Sequence, residues 1–303
     1  MRSAPEHLEQ VLANVSPIEP LEVSLLGAVG LVLAQDITIT DEENTYQLLN
    51  QGTEIAARHV ALLSAAGLGR VLVYPMPRVV VLTVGKDLAD PGTSEELAPD
   101  INGVALTSAA TAAGAMTFRV GPFTGDEMQL RSTLEDQLVR ADLILTACGM
   151  SAEDYELLTT VLSSMGRVEL VRVSMQPGGA QGFGTIGPDN TPVFVLPANP
   201  VGALLSFDVF VRPLIRRMMG HQSLHHKVVE AILDESIRSV SNDTHYIRAH
   251  VTNQDGALHV RSLERDEAHP LQGLGTADAL IIVPSGVEHV SAGHTVAVML
   301  LDS

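Results

Sequence analysis

The run VVVLTVG (79–85) is the strongest indicator of fold class in this chain of 303 residues. Its first six residues are all apolar or β-branched, which is typical of a strand buried on both faces of a parallel sheet. Similar runs occur at DLILTA (142–147) and VFVLPA (193–198), and the helix-length segment LRSTLEDQLVRA (130–141) precedes the first of them. Strands that alternate with helices predict a doubly wound α/β domain, which we place at 77–220.

The residues before this domain, 1–76, show a less regular pattern. Ser3 and Glu6 have the spacing of a capping box, and the apolar stripe that follows predicts an amphipathic helix over 4–14. A second helix is expected over 24–29. The rest of the region does not predict a separate core, so we expect an extended region that serves in dimerisation and as a linker.

After residue 220 the pattern changes to short β-rich runs, separated by polar turns or glycine. These runs are HHKVVEAIL, HYIRAHVT, ALHVRSL, ALIIVPS and TVAVMLL. Such spacing is typical of a small all-β module. The sequence therefore predicts a compact β-barrel-like domain over 221–303.

The composition excludes several classes of function. Lys and Arg number 18 against 36 Asp and Glu, which gives a net charge of −18, and hydrophobic residues make up 46% of the chain. Nucleic-acid binding needs a basic face, so no nucleic-acid partner is expected. No apolar run is long enough for a membrane span, so no membrane partner is expected either. The single cysteine, Cys148, excludes an internal disulfide, and together with the polar N-terminus it predicts a cytoplasmic location.

The segments that follow the predicted strands are the first place to look for a binding site. In an open parallel sheet, ligands bind in the crevice beyond the carboxyl ends of the strands. Glycines there allow backbone N–H groups to approach a phosphate. The segments begin at Gly85, Gly121, Ala147, Gln176 and Leu196.

Polar side chains in these segments have two possible roles. The acidic residues are Asp87, Asp90, Asp126, Glu153 and Asp154. They could converge on a divalent cation, although acidic residues at helix starts are also ordinary partners of the helix dipole, and spacing alone favours that role. Ser151 and Asn199 present the same choice between capping a helix and contacting a ligand.

Three other features have ordinary explanations that we favour. His221, His225 and His226 lack a carboxylate partner in register, which is more typical of solvated surface than of a metal site. Cys148 lies at a strand end, where a buried thiol is commonly a small hydrophobe rather than a nucleophile. The glycine-rich segment QPGGAQGFGTIG (176–187) has no lysine and resembles a turn more than a phosphate cradle.

Several segments carry a more specific pattern. They are LGAVGLVLAQDI (26–37), VVVLTVGKDLADPG (79–92), LILTACGMSAEDY (143–155), MQPGGAQGFG (175–184), FVLPANPVGALLSFDVFVRPLIRRMMG (194–220) and LGTADALIIVPSGVEHVSAGHTVAVMLL (274–301). In the same order they resemble six parts of one protein family. The first segment resembles the family's first region, and the last resembles its C-terminal β-domain. The four between them resemble the family motifs S/T-x-G-D-E-L-x-x-P-G, S-G-G-V-S-x-G-D-Y, K-P-G-K-P-x-x-F-G and L-P-G-N-P-V-S-A-x-x-x-F. That family is the MoeA/gephyrin type of molybdopterin molybdenumtransferase.

The resemblance implies a fold and a reaction. The fold is an elongated homodimer with a doubly wound molybdopterin-binding domain and a C-terminal β-barrel. The reaction is insertion of molybdate into adenylylated molybdopterin with loss of AMP, assisted by Mg²⁺. Electrostatic positioning of phosphate and molybdate oxyanions is the physical task that this reaction sets.

The resemblance also implies site residues. Catalytic roles fall to Asp87, Asp126 and Asp154, and Asp126 and Asp154 would also be the metal ligands. The positions implied for molybdopterin binding are Gly85, Gly149, Ser151, Pro177, Gly178, Pro197, Asn199 and Pro200.

The chain departs from the family pattern at several points. The domain that the family inserts after its first region is missing, since only a short polar segment follows Ile37. Lys86 replaces an aspartate, and Gln176 and Gly179 replace two lysines, each of which would supply a charge-assisted contact of about 1.5–3 kcal/mol. Two hypotheses follow: a molybdopterin-binding protein of cofactor biosynthesis, or a gephyrin-like scaffold or regulatory protein that binds a protein partner.

Overall fold

The computed structural model describes residues 2–13, 15–40, 44–239, 242–264 and 271–301. The helices within these ranges are α1 (Ala4–Ala13), α2 (Ala57–Ala65), α3 (Ile101–Ala112), α4 (Glu127–Leu138), α5 (Ala152–Met165), α6 (Pro200–Ser206) and α7 (Arg212–Met218). A π-helical turn, Phe207–Val211, joins α6 to α7 in one continuous helical segment. Within the described ranges, no helix has the length and apolar character that crossing a membrane requires.

The N-terminal region contains a small sheet and a hairpin. Its strands are β1 (Leu21–Ser24), β2 (Val32–Leu33), β3 (Ile37–Thr40), β4 (Thr45–Leu49) and β5 (Arg70–Tyr74). An antiparallel sheet has the order β1-β5-β2, and β3 pairs with β4.

This region has a core of its own, so the expectation that it lacks one is wrong. The buried residues are Leu25, Ala28, Leu33, Ile37, Ile55, Leu63, Val71 and Val73. They come from separate segments that only folding brings together, which is why no single window of sequence indicated a core. The expectation of a helix over 24–29 is also wrong, since only a 3₁₀ turn forms at Leu26–Ala28. The chain then turns at Gly30, which has a φ of 82°.

The helix predicted over 4–14 is confirmed, and it packs on the central domain rather than on the N-terminal core. The capping box forms: the Glu6 N–H donates to Ser3 Oγ at 3.3 Å, and the Ser3 N–H donates to Glu6 Oε2 at 2.8 Å. Ala4 and Val11 then bury their side chains in the same core as residues of α3 and α7.

The central domain is doubly wound, as predicted. Its strands are β6 (Arg78–Val84), β7 (Leu88–Ala89), β8 (Ala98–Pro99), β9 (Met116–Phe123), β10 (Leu143–Cys148), β11 (Gly166–Arg172), β12 (Met175–Gln176), β13 (Ala180–Ile186) and β14 (Thr191–Val195). The main sheet has the order β11-β13-β14-β10-β6-β9, in which β14, β10, β6 and β9 are parallel.

Alternate side chains of β6 enter different cores, which explains its uninterrupted apolar run. Val79 and Val81 pack in the core that includes residues of α1, α3 and the α6–α7 segment. Val80 and Leu82 pack in the core that includes residues of α4 and α5. All four side chains are completely buried, so these four positions of the strand have to be apolar.

The glycine-rich segment over 176–187, expected to be a turn, forms strand β13 over most of its length. β13 pairs antiparallel with both β11 and β14. A Cβ on Gly184 would overlap the carbonyl oxygen of Arg167 in β11. The glycine is therefore required by the close approach of a neighbouring strand, which a single segment of sequence does not reveal.

The C-terminal region forms a closed barrel, which confirms the prediction. Its strands are β15 (Val228–Leu233), β16 (Ile237–Arg238), β17 (Thr244–Gln254), β18 (Ala257–Ser262), β19 (Ala279–Val283), β20 (His289–Val290) and β21 (Thr295–Leu300). The order β17-β18-β15-β21-β19 closes where β19 pairs back with β17. Leu233, Ala249, Val260, Ile281 and Val298 are among its buried interior residues.

Candidate functional site

The carboxyl ends of the parallel strands meet at one edge of the central sheet. The Gly85 N–H, just past β6, donates to the carbonyl of Phe123 at the end of β9 over 3.0 Å. The Gly149 N–H, just past β10, donates to the carbonyl of Val84 over 2.8 Å. β9 lies on one side of β6 and β10 on the other, so this edge contains a topological switch point. In open α/β sheets, such a point is the usual place for a ligand.

Asp154 is a buried carboxylate at this edge, in the first turn of α5. Only 4% of its surface is exposed. Burial raises the pKa of Asp154, and the charges of Asp87 and Glu153 add to this effect, while the backbone N–H and the charge of Lys86 oppose it. A Cβ on Gly149 would lie 3.1 Å from Asp154 Oδ2, so the glycine leaves room for the carboxylate.

An open pocket of about 520 Å³ contains both predicted metal ligands. Its lining includes Lys86, Asp126, Glu153 and Asp154. The Lys86 Nζ lies 3.7 Å from Glu153 Oε2, and both side chains are well exposed. The pocket therefore places the exposed Lys86 beside several carboxylates, at the start of α4 and of α5.

Asp126 has an ordinary structural role in this pocket. It is the N-cap of α4, where its Oδ1 accepts from the Gln129 N–H at 2.9 Å. The Gln129 Oε1 in turn accepts from the Asp126 N–H at 3.1 Å, which completes a capping box. Capping uses Oδ1 of Asp126, which leaves Oδ2 outside the cap.

The five acidic residues considered from the sequence do not form a single cluster. Asp90 turns toward Arg119, with Oδ1 at 2.6 Å from Nη1, and Glu153 turns toward Lys86. The Asp87 backbone carbonyl accepts from the Ala98 N–H, where the β7–β8 bridge begins. Over the described ranges, no three His, Cys, Asp or Glu side chains converge as a metal ion would need.

Other residues predicted for molybdopterin binding lie beyond β14, the strand next to β10, around the start of α6. They are Pro177, Gly178, Pro197, Asn199 and Pro200. Asn199 caps α6, its Oδ1 accepting from the N–H groups of Val201 at 2.9 Å and Gly202 at 3.3 Å. Pro197 and Pro200 flank this cap. The carbonyl of Ala198 accepts from the Asn102 amide at 2.7 Å, which ties the segment to α3.

Pro177 and Gly178 belong to this second group. Gly178 has a φ of 85°, and a Cβ there would lie 2.9 Å from the Gly202 carbonyl oxygen. A Cβ on Gly202 would lie 3.1 Å from the Gly178 Cα. The two glycines thus permit backbone contact between the segment after β12 and α6, which accounts for glycine at position 202.

Ser151 and Cys148 both have ordinary roles. The Ser151 Oγ caps α5 by accepting from the Glu153 N–H at 3.1 Å. Burial and the nearby Asp154 raise the pKa of the Cys148 thiol to about 11, so the thiolate is disfavoured at neutral pH. This agrees with the expectation that Cys148 is a buried hydrophobe.

Sequence reasoning missed a charged network beside the site. The Asp100 carboxylate, 1% exposed, accepts from Thr83 Oγ1 and from Arg119 Nη2, each at 2.7 Å. Burial lowers the pKa of Arg119, but the hydrogen bonds to Asp100 and Asp90 outweigh it and raise the pKa. The available signals were a hydroxyl in the apolar run of β6 and an aspartate at the start of α3.

The expectation that His221, His225 and His226 are solvated surface is wrong for His221 and His226. The His221 side chain is 8% exposed, and its Nδ1 lies 3.1 Å from Arg216 Nη2. His226 is 7% exposed, and its Nε2 lies 3.0 Å from Asp208 Oδ1. The carboxylate partner comes from the π-helical turn, 18 residues earlier, so it could not be found by local spacing.

Two family models match the chain. Residues 80–217 match a model described as a probable molybdopterin binding domain. Residues 230–301 match the MoeA C-terminal region, domain IV. The two matches fall on the doubly wound domain and on the barrel.

Curated relatives have the same affiliation. The chain is 40% identical over 259 residues to molybdopterin molybdenumtransferase 1 of Mycobacterium tuberculosis, covering 82% of this chain and 60% of that protein. It is 34% identical over 254 residues to molybdopterin molybdenumtransferase 2 of the same species, covering 81% of this chain and 62% of that protein. The chain thus matches about three fifths of the length of these relatives.

Solved structures share the fold. A MoeA protein of Pyrococcus horikoshii superimposes with a TM-score of 0.82 at 19% identity, covering 99% of each chain. A molybdenum cofactor biosynthesis protein of Pyrococcus furiosus gives a TM-score of 0.74 at 23% identity, again covering 99% of each chain. These structures show a shared fold. The relative at 40% identity, together with the two family models, shows that the chain belongs to the MoeA family.

Proposed function

We propose that this chain binds molybdopterin or its adenylate at the switch-point edge and acts in molybdenum cofactor biosynthesis. The observation that carries the proposal is the convergence of the segments after β6, β9 and β10, joined by the hydrogen bonds of Gly85 and Gly149. The names of the relatives favour this role over the scaffold alternative. We propose that the reaction implied by the resemblance, molybdate insertion with release of AMP, takes place in the pocket lined by Lys86, Asp126 and Asp154.

The chemistry of the pocket gives each residue a task. Backbone N–H groups at the starts of α4 and α5 favour the phosphate of the ligand, and Lys86 adds a cation at the rim. Asp126 and Asp154 would repel that phosphate unless a cation lies between them and the ligand. Mg²⁺ is commonly held by one or two carboxylates together with substrate phosphates, so two carboxylates in one pocket fit this ion.

Under this proposal Asp154 is a stronger candidate than Asp126 for contact with the metal ion. Its raised pKa reflects the cost of a buried negative charge, and a bound Mg²⁺ would offset that cost. Asp87 adds negative potential to the same place. Mg²⁺, when bound, would neutralise phosphate charge and fix the orientation of the ligand.

Two further parts of the proposal concern the whole protein. We propose a homodimer, supported by the large apolar side chains that the N-terminal region exposes, among them Leu26 and Val29. We also propose a cytoplasmic location, which is consistent with a single, buried cysteine.

Calorimetric titration with molybdopterin adenylate tests the proposed function. We expect binding in the presence of Mg²⁺, weakened at least tenfold by Asp154→Asn, which removes the charge but keeps the size. The matched control is Asp142→Asn, at the opposite end of β10, where the carboxylate pairs with Arg78 at 2.7 Å. Absence of binding by the wild-type protein, or equal binding by both variants, would contradict the proposal. Release of AMP on addition of molybdate tests the reaction.

A further inference from the structure

A second polar pocket, of about 650 Å³, lies where α7 meets the segment leading into the barrel. Arg212 and Arg216 of α7 line it, together with residues 222–227 and Glu54 of the N-terminal region. It shares no lining residue with the pocket around Asp154. The two sites also lie on different faces of the central sheet, because α7 packs in one core and α4 and α5 pack in the other.

The two arginines are cations that lack an anionic partner. Arg212 Nη1 donates to the carbonyl of Leu224 at 3.2 Å. Arg216 Nε donates to the carbonyl of Ser223 at 2.8 Å, and Arg216 Nη2 lies 3.1 Å from His221 Nδ1. In the part of the chain that the structure describes, neither guanidinium forms an ion pair with a carboxylate. A guanidinium has five N–H donors, so most of the donor capacity of both groups is unused by these bonds.

The electrostatics of the two guanidinium groups are unfavourable as they stand. Burial lowers the pKa of Arg212, and the like charge of Arg216 lowers it further, while Asp208 opposes both effects. Burial also lowers the pKa of Arg216, opposed by Glu54. A half-buried pair of like charges one helical turn apart destabilises the protein unless an anion compensates it.

The acidic groups near the pocket provide incomplete compensation. Asp208 is engaged with His226 at 3.0 Å. The Glu54 side chain is 58% exposed, and its Oε2 lies 3.7 Å from His221 Nδ1. Burial and the charge of Arg216 lower the pKa of His221 to about 4, so this ring is neutral at pH 7 and does not neutralise Glu54. Lys227, exposed, adds another positive charge to the lining.

We propose that this pocket is a binding site for an oxyanion, a phosphate or carboxylate group held between Arg212 and Arg216. The planar fork of each guanidinium matches the paired oxygens of these groups and forms charge-assisted hydrogen bonds with them. The pocket is polar and open, and the exposed Lys227 is part of its lining, which suits a small ligand or the charged end of a larger one. In a chain with a net charge of −18, these unpaired cations mark a local exception.

Equilibrium titration with inorganic phosphate tests the proposal, with sodium chloride at matched ionic strength as the reference. We expect saturable binding to the wild-type protein, and Arg216→Gln should weaken it about 10- to 100-fold, the effect of one charge-assisted hydrogen bond. Glu54→Gln should tighten binding, because it removes the acidic competitor. Arg131→Gln, on α4 at the other face of the sheet, removes the same charge and should leave binding unchanged.

The opposite effects of Arg216→Gln and Glu54→Gln separate ligand binding from a structural role. If Arg216→Gln fails to fold, Glu54→Gln and Arg212→Gln still give the test. A parallel titration with acetate distinguishes the source of the oxyanion: tighter phosphate binding indicates a phosphorylated ligand, and tighter acetate binding indicates a carboxylate. The proposal is overturned if phosphate binds the wild-type protein no better than chloride does. It is also overturned if Asp154→Asn weakens phosphate binding while Arg216→Gln does not.

Discussion

At the scale of single residues, buried ionisable groups connect the packing of this protein to its pH dependence. His7 of α1 is 2% exposed, and its ring meets the edge of Phe210 with a centroid distance of 4.8 Å. Its Nε2 has no hydrogen-bond partner among the described residues. Burial, and then the charge of Arg2, lower the pKa of His7 to about 4. The ring is therefore neutral in the folded protein at pH 7.

We predict that His7 makes the folded state less stable in weak acid. The unfolded chain binds a proton at His7 near its ordinary pKa of about 6.5, whereas the folded protein binds it only near 4. The free energy of unfolding should therefore be unaffected by His7 above about pH 6.5, and should fall as the pH drops toward about 4. The slope for one proton is about 1.4 kcal/mol per pH unit.

Urea denaturation across this pH range, on wild-type protein and His7→Gln, measures the effect. The variant should show a shallower loss of stability than the wild type, by up to one proton. His221 has a similarly lowered pKa, so the variant should keep part of the slope. His294→Gln, at an exposed position of the barrel region, is the control. Equal slopes for wild type and His7→Gln would show that His7 titrates alike in both states.

At the scale of elements, helix caps and proposed ligand contacts use the same side chains. Asp126 caps α4, Ser151 caps α5 and Asn199 caps α6. The sequence left open capping or ligand contact for Ser151 and Asn199, and a dipole partner or a cation ligand for Asp126. The structure shows that all three cap. A cap places the side chain at the positive end of a helix, where an anionic ligand would also bind, so one role does not exclude the other.

Substitutions at Asp126 separate the two roles. We predict that Asp126→Ala lowers the free energy of unfolding by about 1 kcal/mol because the capping bond is lost, and that Asp126→Ser restores most of it. Both variants should lose Mg²⁺-dependent binding of molybdopterin adenylate, since serine caps without a negative charge. Urea denaturation and calorimetry give the two readouts. If Asp126→Ser binds the ligand as the wild type does, Asp126 is a cap alone.

At the scale of the whole molecule, the N-terminal region exposes several large apolar side chains. Leu26 is 83% exposed, Val29 52% and Tyr46 49%, although the same region buries a core beneath them. Large exposed apolar side chains close together are typical of an interaction surface. This observation supports the proposed homodimer more directly than the sequence did, because the expectation that the region lacked a core was wrong.

The dimer is tested by multi-angle light scattering. We predict twice the mass of the chain for the wild-type protein, and a monomer for Leu26→Lys with little change in the free energy of unfolding per chain. Val139→Lys is the matched control, since Val139 is 87% exposed at the end of α4 and should leave the mass unchanged. A wild-type monomer would refute the proposal.

Local patterns were sufficient for much of the architecture. The apolar and β-branched run of β6 predicts a strand buried on both faces, because each face of the sheet has its own core and successive side chains alternate between the two. The spacing of Ser3 and Glu6 predicts the start of α1, because a capping box involves only neighbouring groups. Strands separated by helices then imply the switch-point edge, where Gly85, Gly149 and Asp154 meet.

Contacts between distant segments were beyond the reach of these patterns. Strand β13 forms because glycines fit between β11 and β14, and the N-terminal core assembles from scattered apolar residues. Only folding brings Asp100 into contact with Arg119, and His226 into contact with Asp208. The Arg212 and Arg216 pocket likewise needs α7, Glu54 and the segment before the barrel together. Sequence periodicity indicates which side of one segment is buried. The residues that a side chain contacts, and the charges around it, depend instead on which distant segments pack together in the folded protein.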